Sequence, residues 1–419
     1  MSENRPIDAF QRRVIALCGA VLLLDAFDTQ SMGFLAPPMA EALGIPVTSF
    51  GPVFSSGLLG LMIGSMIIGP LADRKGRKPA IILSTLAFGA FSVSTVAANR
   101  LDELIVIRFL TGLGLGGAIP NAVALASEYA PPRIRAVLVT SIFVGMGGGA
   151  LLATGVASFA IPLWGWQSMF YIGGIAPILL AIVLVIQLPE SAQFLATQRR
   201  RSGAAPVREL FTAGRATGTI LLWVPCFLNL IILYCILSWL PALLRQSGMS
   251  VSAGITAISL FSVGGIVASL SQGRLMNRWG AYRIILIEFV LTVVLVGAAV
   301  LAFRSYMAIM VTTFLLGLCV QGAQAGLNAV AALFYPTSTR TTGVGWSLGV
   351  GRIGGIMGPA VAGVLLQIGW TAENIFVAGA VPAACAALSV LCSRRLAVNR
   401  NPYGDVRGGR ALQPQESAT

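Results

Sequence analysis

The sequence of 419 residues contains no histidine and few charged residues of either sign. The absence of histidine excludes Ser-His-Asp and Cys-His catalysis, ordinary zinc sites and histidine proton relays. Any proton chemistry must therefore depend on carboxylates. Charged residues make up 10% of the chain, against about 25% in an ordinary soluble domain. Together with 56% apolar residues and a mean hydropathy of +0.84, this composition excludes a soluble globular protein.

Cysteine is scarce, and the six cysteines carry no sign of chemistry. All of them lie inside apolar runs, without a CxxC pair and without flanking metal ligands. We interpret them as thiols buried in helix packing or lipid, and we expect neither a metal site nor a cofactor.

Long apolar runs make up most of the chain. A helix needs about 20 apolar residues to cross a bilayer core, and short loops separate twelve such runs. The predicted spans are residues 14–37, 50–72, 80–98, 103–127, 136–161, 166–188, 218–244, 252–275, 282–302, 306–333, 342–368 and 374–393. We therefore predict an all-α membrane protein with twelve transmembrane helices.

The basic residues predict the orientation of these helices. If the N-terminus is cytoplasmic, 23 of the 28 Lys and Arg residues fall inside, whereas Arg100, Arg245 and Arg304 fall outside and two lie within spans. This bias follows the positive-inside rule, so we predict that both termini are cytoplasmic. The formal charge of +13 is then a topology signal and a contact with anionic lipid headgroups, and it does not require nucleic acid.

The two halves of the chain repeat each other. GPLADRKG at 69–76 has a degraded copy, GRLMNRWG, at 273–280, and FLTGLGLGGA at 109–118 matches FLLGLCVQGA at 314–323. Parallel repeats are typical of transporters whose substrate site lies at the midplane between the halves. We predict a six-helix bundle at 1–188, a cytoplasmic linker at 189–217, a second six-helix bundle at 218–395 and a disordered cytoplasmic tail at 396–419.

Several motifs carry a family resemblance. GPLADRKGRKP, between spans two and three, resembles the signature loop of the major facilitator superfamily, and RFLTGLGLGGAIPN in span four is similar to its second signature. DAFDTQSMGFLAP, PESAQFL and YPTSTRTTGVGWSLGVGRIGGIMGP resemble the aromatic acid:proton symporters within it. Ala26 and Gln193 stand where that family usually has Gly and Arg. The resemblance implies the major facilitator fold and import of aromatic or related carboxylates with protons.

Asp25 and Asp28 are the acidic residues deepest in span one. Their i,i+3 spacing puts both carboxylates on one helix face. Ionisable groups near the bilayer centre cost about 2.5–3.5 kcal/mol each and are functional candidates. Because desolvation and mutual repulsion favour the protonated form of at least one acid, we predict that this pair loads and releases the transported proton, and the resemblance favours Asp28. The alternative is that both acids only pair with cations.

Two arginines lie within spans. Arg352, about ten residues into span eleven, is near the depth of the aspartates, and its planar guanidinium suits bidentate binding of a substrate carboxylate. The alternative is a salt bridge to Asp25 or Asp28, and both states can hold in turn if an empty site pairs Arg352 with an aspartate. Arg108 opens the span-four signature, and the resemblance gives it a coupling or gating role. Snorkelling to the outer interface is the alternative.

An aromatic substrate also needs flat apolar walls and a few polar markers. Polar and aromatic side chains at a suitable depth occur in five of the predicted spans. Each of them alone is more often a packing residue, but together they predict a polar midplane. The candidates for substrate contact beside the two arginines are Gln30, Asn121, Asn229, Tyr234, Gln324, Asn328 and Trp346.

The loop between spans two and three predicts a conformational latch. Its glycines permit close helix contact and tight turning, and its acid can accept from a neighbouring helix N-terminus while the basic residues hold the inner surface. The second copy of the loop has Asn277 in place of the acid, so a charged latch is weaker there. The predicted latch residues are Gly69, Asp73, Arg74, Gly76 and Arg77, with Glu128 and Arg135 near the inner end of span four.

Two further residues lie near predicted span ends. Glu288 is about six residues from the cytoplasmic end of span nine, which predicts snorkelling or pairing with Arg283. Trp239, beside Pro241, is predicted to anchor the outer interface.

The combined prediction is an inner-membrane symporter that imports a benzoate, hydroxybenzoate or phenylpropanoid with protons. A carrier of another organic anion, such as a muconate, a nicotinate-like acid or a dicarboxylate, is the nearest alternative, and an exporter of drugs or metabolites is a further one. We do not expect an enzyme, because the sequence offers no nucleophile–base pair. The expected partners are the substrate, protons and membrane lipids, with the chain as a monomer.

Overall fold

The computed structural model describes residues 8–130, 135–191, 207–212, 215–302, 305–335 and 340–400. These residues form thirteen α-helices. In chain order they are α1 Ala9–Leu43, α2 Gly51–Lys75, α3 Arg77–Ser94, α4 Leu101–Tyr129, α5 Arg135–Trp164, α6 Gln167–Gln187, α7 Ala216–Gln246, α8 Val251–Trp279, α9 Ala281–Ala302, α10 Tyr306–Phe334, α11 Arg340–Gln367, α12 Ala372–Ala378 and α13 Ala380–Arg400. Short 3-10 turns lie at Val47–Phe50, Thr95–Ala97 and Val207–Phe211.

Twelve stretches of the described residues are long and apolar enough to cross a membrane. This finding confirms the predicted number of spans. The short helix α12 and the longer α13 together form the twelfth span, Glu373–Arg395. The first helix is longer than its predicted span, because α1 continues through Pro37 and Pro38 to Leu43. Prolines are tolerated there because neighbouring helices satisfy the backbone groups that a proline frees.

Consecutive spans run in opposite directions, so their ends alternate between two faces of the molecule. We call the face at which α1 begins and α13 ends the terminal face, and the other the opposite face. At the opposite face Glu41, near the end of α1, pairs with Arg245, near the end of α7, at 2.9 Å. There too, the side chain of Gln367 on α11 donates to the carbonyl oxygen of Thr48 before α2, at 3.4 Å.

Glycines bring equivalent helices of the two halves together in the same way. A Cβ atom at Gly60 on α2 would collide with the carbonyl oxygen of Phe109 on α4, and one at Gly264 on α8 would collide with that of Phe314 on α10. The two glycines are 204 residues apart, and the two phenylalanines 205. Small residues permit this approach of backbones in a membrane. The internal repeat is therefore also a repeat of helix packing.

The buried apolar side chains show where the two halves meet. One cluster contains side chains of both halves and lies toward the opposite face, including Leu35, Phe50, Trp239 and Phe261. Toward the terminal face each half has a cluster of its own, with Val14 and Leu125 among the members in the first half and Leu222, Phe289 and Tyr335 in the second. The interior between the halves is therefore closed toward the opposite face.

Three close contacts form what we call the gate at the opposite face. Gly33 on α1 lies directly against the backbone carbonyl of Leu237 on α7. A Cβ atom at Gly51 on α2 would lie 3.2 Å from the Cα atom of Gly363 on α11. The ion pair between Glu41 and Arg245 is the third contact.

Trp239 seals this gate and does not anchor a membrane interface, so the prediction for this residue is wrong. Its side chain is fully buried, its indole nitrogen donates to the carbonyl oxygen of Pro359 at 3.0 Å, and its ring meets Phe54 edge-on at 5.3 Å. An interfacial tryptophan and a buried one both need a partner for the indole N–H, and here a neighbouring helix supplies it.

Candidate functional site

A buried ion pair joins α1 to α4. The Asp28 carboxylate accepts a hydrogen bond from Arg108 at 3.1 Å, and both side chains are 4% exposed. The hydroxyl of Ser92 on α3 donates to the other oxygen of Asp28 at 2.7 Å. Buried charges are tolerated when they are paired and when further hydrogen bonds complete their shells. Asp28 is therefore held by two helices of the first half.

Arg108 faces the interior of the protein. Its guanidinium also donates to Thr95 at 2.9 Å and to Thr111 at 3.3 Å, and it lies over the ring of Phe170 at 5.1 Å. These contacts contradict snorkelling to the interface, because the guanidinium is buried against Asp28 and does not reach water. In this conformation both terminal nitrogens of Arg108 are bound to protein groups, whereas its buried Nε atom has no hydrogen-bond partner.

Asp25 has different surroundings from Asp28, although only three residues separate them. It is 2% exposed, and its Oδ1 atom is buried without a hydrogen-bond partner. Tyr234 on α7 and Arg352 on α11 lie close enough to interact with it electrostatically. The two acids therefore face different helices, Asp28 those of its own half and Asp25 those of the second half.

Arg352 reaches across the interior from the second half to the first. Its Nη1 atom donates to the hydroxyl of Ser65 on α2 at 2.6 Å. Within the described part of the chain it forms no ion pair, so the expectation that an empty site pairs Arg352 with an aspartate is wrong for this conformation. A permanently charged guanidinium with a neutral partner leaves donors for an incoming anion.

A small cavity of about 60 Å³ lies between the halves beside these residues. It has room for a few water molecules, whereas pockets for drug-sized ligands measure about 300–1,000 Å³. Its position next to the gate means that the interior is nearly filled on that side. The lining residues include Asp28, Arg108, Tyr234, Met32, Phe54 and Leu237.

The amide side chains among the candidates divide into two groups. Asn229 on α7 is fully buried and donates to Gln324 on α10 at 2.9 Å, and Gln324 donates in turn to the exposed Asn328 at 3.1 Å. This chain orients Gln324 between the two helices. Asn121, by contrast, donates to the carbonyl oxygen of Gly117 in its own helix at 2.7 Å. Gln30 carries a buried Oε1 atom without a hydrogen-bond partner.

Trp346 lies toward the terminal face, at the start of α11. Its ring is 43% exposed and stacks on Trp223 of α7 at 5.9 Å with an interplanar angle of 14°. The indole of Trp223 donates to the hydroxyl of Tyr335 at 3.1 Å. Since Arg352 is about two helical turns further along α11, this aromatic pair stands nearer the terminal face than the arginine does.

The predicted latch is organised around a residue that the sequence analysis did not select. One carboxylate oxygen of Glu190, just after α6, accepts from the backbone nitrogens of Arg77 at 2.8 Å and Lys78 at 3.1 Å. These nitrogens begin α3, where backbone N–H groups lack helical partners and attract an anion. The hydroxyl of Tyr129 donates to the backbone carbonyl of Glu190 at 2.6 Å.

The other latch candidates differ in whether they contact a neighbouring segment. The side chain of Arg77 pairs with Glu128, and Gly76 has φ of +105° with Glu190 directly against it. Gly69 has open space where a Cβ atom would be, so the expected close helix contact there is wrong. Arg74 is exposed. The side chains of Asp73 and Arg135, like Gln193, lie outside the described residues.

Glu288 contradicts its prediction. It is 5% exposed, and among the described residues its carboxylate is bound by Gln272 of α8 at 3.2 Å and by no cation. It neither snorkels nor pairs with Arg283, which is exposed on the same helix. The position of Glu288 along α9 does not predict its burial, because the neighbouring helices decide whether a side chain reaches water.

Comparison with known proteins identifies the family of this chain. A model of the Major Facilitator Superfamily matches residues 18–302 and 256–414. The chain belongs to the Major Facilitator Superfamily. Among solved structures, a D-xylose-proton symporter superposes with a TM-score of 0.76 at 15% sequence identity, over 92% of this chain and 97% of the symporter. The chain is therefore a multi-pass membrane protein with the major facilitator fold.

Relatives within the superfamily are much more similar in sequence. The 4-hydroxybenzoate transporter PcaK of Pseudomonas putida is 38% identical over 93% of this chain and 94% of the relative. The gallate transporter of Pseudomonas putida is 35% identical, with 96% and 95% covered. The resemblance to a family of aromatic acid transporters is confirmed by these matches.

Several contact residues of this superfamily member could not be selected from the sequence. Ser65, Ser92, Thr95 and Thr111 are small hydroxyl residues in apolar helices, where such residues usually donate to their own backbone. Glu190 lies in the PESAQFL motif, which carried the resemblance without indicating a contact. Ser65, Thr95 and Thr111 do donate to their own backbone here. Their additional contacts with the two arginines, and that of Ser92 with Asp28, follow from the packing of the helices and cannot be predicted from the sequence.

Proposed function

We propose that the chain is a symporter that imports a hydroxylated aromatic carboxylate together with protons across the bacterial inner membrane. The observation that carries the proposal is Arg352, which lies inside a transporter fold near Asp25 and, among the described residues, is hydrogen-bonded to a neutral hydroxyl and to no carboxylate. A buried guanidinium with free donors suits a carboxylate in bidentate geometry. An anion is the ligand that this charge favours.

The relatives support the class of substrate. Those named above are transporters of 4-hydroxybenzoate and gallate, both of which are benzoates with ring hydroxyl groups. Near the predicted midplane, Gln324 lies in a chain of amides between α7 and α10. Amide groups donate and accept hydrogen bonds, so they suit ring hydroxyls.

The environments of the two acids support different roles. Asp25 has a free buried oxygen near Arg352, so we assign it the transported proton. Asp28 is paired with Arg108, and we assign this pair to coupling within the first half. When Asp25 is protonated, Arg352 binds the substrate anion, and deprotonation of Asp25 gives the arginine a competing anion that favours release.

The orientation of the chain decides the direction of transport. With both termini cytoplasmic, the closed opposite face is the outer one, so this conformation releases substrate to the cytoplasm. We propose that residues 1–188 and 218–395 rock as two bundles, linked by residues 189–217 on the cytoplasmic side. We further propose that the chain works as a monomer and does not act as an enzyme. Each net positive charge that enters with the substrate gains about 2.3 kcal/mol per 100 mV of membrane potential. This energy allows roughly fifty-fold accumulation of the substrate.

The direct test is uptake by proteoliposomes with an imposed proton gradient. The panel holds labelled benzoate, 4-hydroxybenzoate, gallate, a phenylpropanoid, muconate and nicotinate, each with and without a protonophore. We expect accumulation of a hydroxylated benzoate that the protonophore abolishes. Accumulation of muconate or nicotinate alone would support a carrier of another organic anion, and acid-driven efflux would support an exporter.

The role of Asp25 is tested by separating exchange from accumulation. We expect Asp25→Asn to exchange labelled for unlabelled substrate across the membrane, because Arg352 still binds the anion. The same variant should lose accumulation driven by the proton gradient, by at least tenfold, which corresponds to about 1.4 kcal/mol of lost coupling. Thr29→Val, a neighbour on the same helix, is the control. Gradient-driven accumulation by Asp25→Asn at the wild-type level would contradict the assignment.

A further inference from the structure

A second buried acid lies in the second half, away from the proposed transport site. Glu288 on α9 is 5% exposed and Gln272 on α8 is 3% exposed. The Gln272 amide nitrogen donates to Glu288 Oε2 at 3.2 Å, and Glu288 Oε1 lies against Gly322 of α10. The carboxyl is thus enclosed by three helices.

The hydrogen bonds of the pair are incomplete if the acid is ionised. The Oε1 atom of Gln272 is buried and has no hydrogen-bond partner. This atom belongs to the same amide whose nitrogen already donates to Glu288. A protonated carboxyl supplies the missing donor, since an acid and an amide then form two parallel hydrogen bonds, whereas a carboxylate only accepts. Protonation of Glu288 therefore completes the pair.

The charges around Glu288 favour the same state. No charged side chain among the described residues of α8, α10 or α13 pairs with it, and the titratable group facing it is the thiol of Cys319 on α10. Arg283, on its own helix, is exposed. A carboxylate in such a place has no compensating cation, and a buried ion without one is costly compared with a neutral acid.

The other half of the molecule shows that the fold does not need this acid. The positions equivalent to Glu288, Gln272 and Gly322 in the first repeat, at offsets of 204 and 205, are Ser84, Ile68 and Gly117. The packing is the same, because a Cβ atom at Gly117 would collide with Ser84 Oγ and Ile68. A small hydroxyl and an apolar side chain fill the space there, so an acid–amide pair is more than the packing requires.

A cavity with room for water lies near the pair. It measures about 170 Å³, enough for several water molecules, and it lies toward the terminal face between α7, α9, α10 and α13. Ile285 lines this cavity and sits one turn before Glu288. A Cβ atom at Gly326 would lie 2.8 Å from both Ile285 and the Gln272 amide nitrogen, so Ile285 lines the cavity and also lies close to the acid–amide pair.

We propose that Glu288 is a second proton-binding site, which is occupied in this conformation and exchanges its proton with water on the terminal face. It is distinct from the Asp25 site and lies where α9 packs against α8 and α10. Its contribution to the proton:substrate ratio rests on the proposed function, but its protonation and exchange do not. The proton is the ligand, and Gln272 holds the protonated form.

Infrared spectroscopy of the purified protein in lipid tests occupancy and exchange without any substrate. We expect a carbonyl band of a protonated carboxyl in the wild type that is absent in Glu288→Gln, decreases from mildly acidic to mildly alkaline pH, and shifts in deuterated water. Absence of a band difference between the two proteins, or a band that neither titrates nor shifts, would overturn the proposal. This experiment does not measure transport. Its result therefore tests the protonation of Glu288 even if the proposed function is wrong.

Proton and substrate fluxes measured together test the contribution to coupling. We expect Glu288→Gln to transport with one proton fewer per substrate than the wild type, whereas Asp25→Asn loses accumulation. An unchanged ratio would overturn this role. The double variant Glu288→Ser with Gln272→Ile copies the first repeat and serves as the folding control. It is expected to reach the membrane at the wild-type level, and to show the same reduced ratio.

Discussion

Asp25 and Asp28 are three residues apart on α1, but different neighbours surround their carboxylates. Asp28 accepts from Ser92 and Arg108, whereas one oxygen of Asp25 has no partner and the nearby cation is Arg352. Removing one partner of a buried pair costs about 3–5 kcal/mol because the other charge stays uncompensated. Substitution of Asp28 therefore tests stability as well as coupling, and Asp25 is the better position at which to test the proton itself.

The fork shape of Arg352 makes a prediction about affinity. We expect Arg352→Lys to raise KM for the transported acid roughly tenfold, because an ammonium cannot hold a carboxylate with two parallel bonds. One hydrogen bond to a charged group contributes about 1.5–3 kcal/mol, and 1.4 kcal/mol is a factor of ten. Initial uptake rates over a range of substrate concentrations measure this change.

The control for this prediction is Ser65→Ala, which removes the hydroxyl that Arg352 contacts in the empty site. Arg352 has further donors beside the one bound to Ser65, so loss of the hydroxyl is expected to leave KM within about twofold of the wild type, less than the tenfold effect that 1.4 kcal/mol produces. A wild-type KM in Arg352→Lys, or an equal increase in both variants, would contradict bidentate binding.

The sequence predicted which residues are in the membrane better than it predicted their neighbours. Asp25, Asp28, Arg108 and Arg352 stand out because charge is rare in apolar runs. Their pairing is not encoded locally, since Asp28 and Arg108 are 80 positions apart. Glu288 was misplaced for the same reason, because only Gln272 and Gly322 on other helices show that it is buried.

Among the helices, α3 depends on a residue that follows α6. Its first backbone nitrogens have no helical acceptors, its N-cap is Gly76, which has no side chain, and the carboxylate of Glu190 takes the capping position. The loop signature predicted a capping acid in this region, but assigned the role to Asp73. The side chain of Asp73 lies outside the described residues, so its role stays a prediction. At the start of α3 the acceptor is Glu190, because the chain after α6 returns to this helix end. A cap from a distant segment fixes the two helices to each other.

This cap predicts a loss of stability. Glu190→Ala should lower the free energy of unfolding by about 1–2 kcal/mol, the usual cost of losing an N-cap near a helix dipole. Glu190→Gln keeps an acceptor but loses the charge, so a smaller loss is expected. Thermal unfolding of the detergent-solubilised protein measures both variants. Glu209→Ala, which removes an exposed acid from the Val207–Phe211 turn, is the control, and equal losses in Glu190→Ala and Glu209→Ala would contradict the capping role.

Within the part of the chain that the structure describes, the two halves are closed against each other at the opposite face. Near the gate the apolar cluster runs through both halves, whereas toward the terminal face each half has its own cluster. The repeat in the sequence predicted two similar bundles, but it could not predict which face is closed. Both conformations of an alternating transporter use the same helices, so the preference between them lies in a few contacts between halves.

Gly33 provides the sharpest test of that gate. It lies directly against the carbonyl of Leu237, so a methyl group there cannot fit without moving α1 away from α7. Overpacking costs about 1–3 kcal/mol, and because only the state closed at this face has the contact, Gly33→Ala should shift the equilibrium against it by roughly 5–150-fold. Uptake should fall accordingly, while binding of labelled substrate to the solubilised protein is retained.

Gly19→Ala is the matched control, since it adds the same methyl group to the same helix where a Cβ atom meets nothing within 4 Å. It is expected to transport like the wild type. If Gly33→Ala transports at the wild-type rate, the contact with Leu237 does not limit closure, and if it also loses binding, the substitution has damaged the site and not the gate. Reduced uptake with intact binding in Gly33→Ala, together with wild-type transport by Gly19→Ala, is the combination expected from a defect in closing the opposite face.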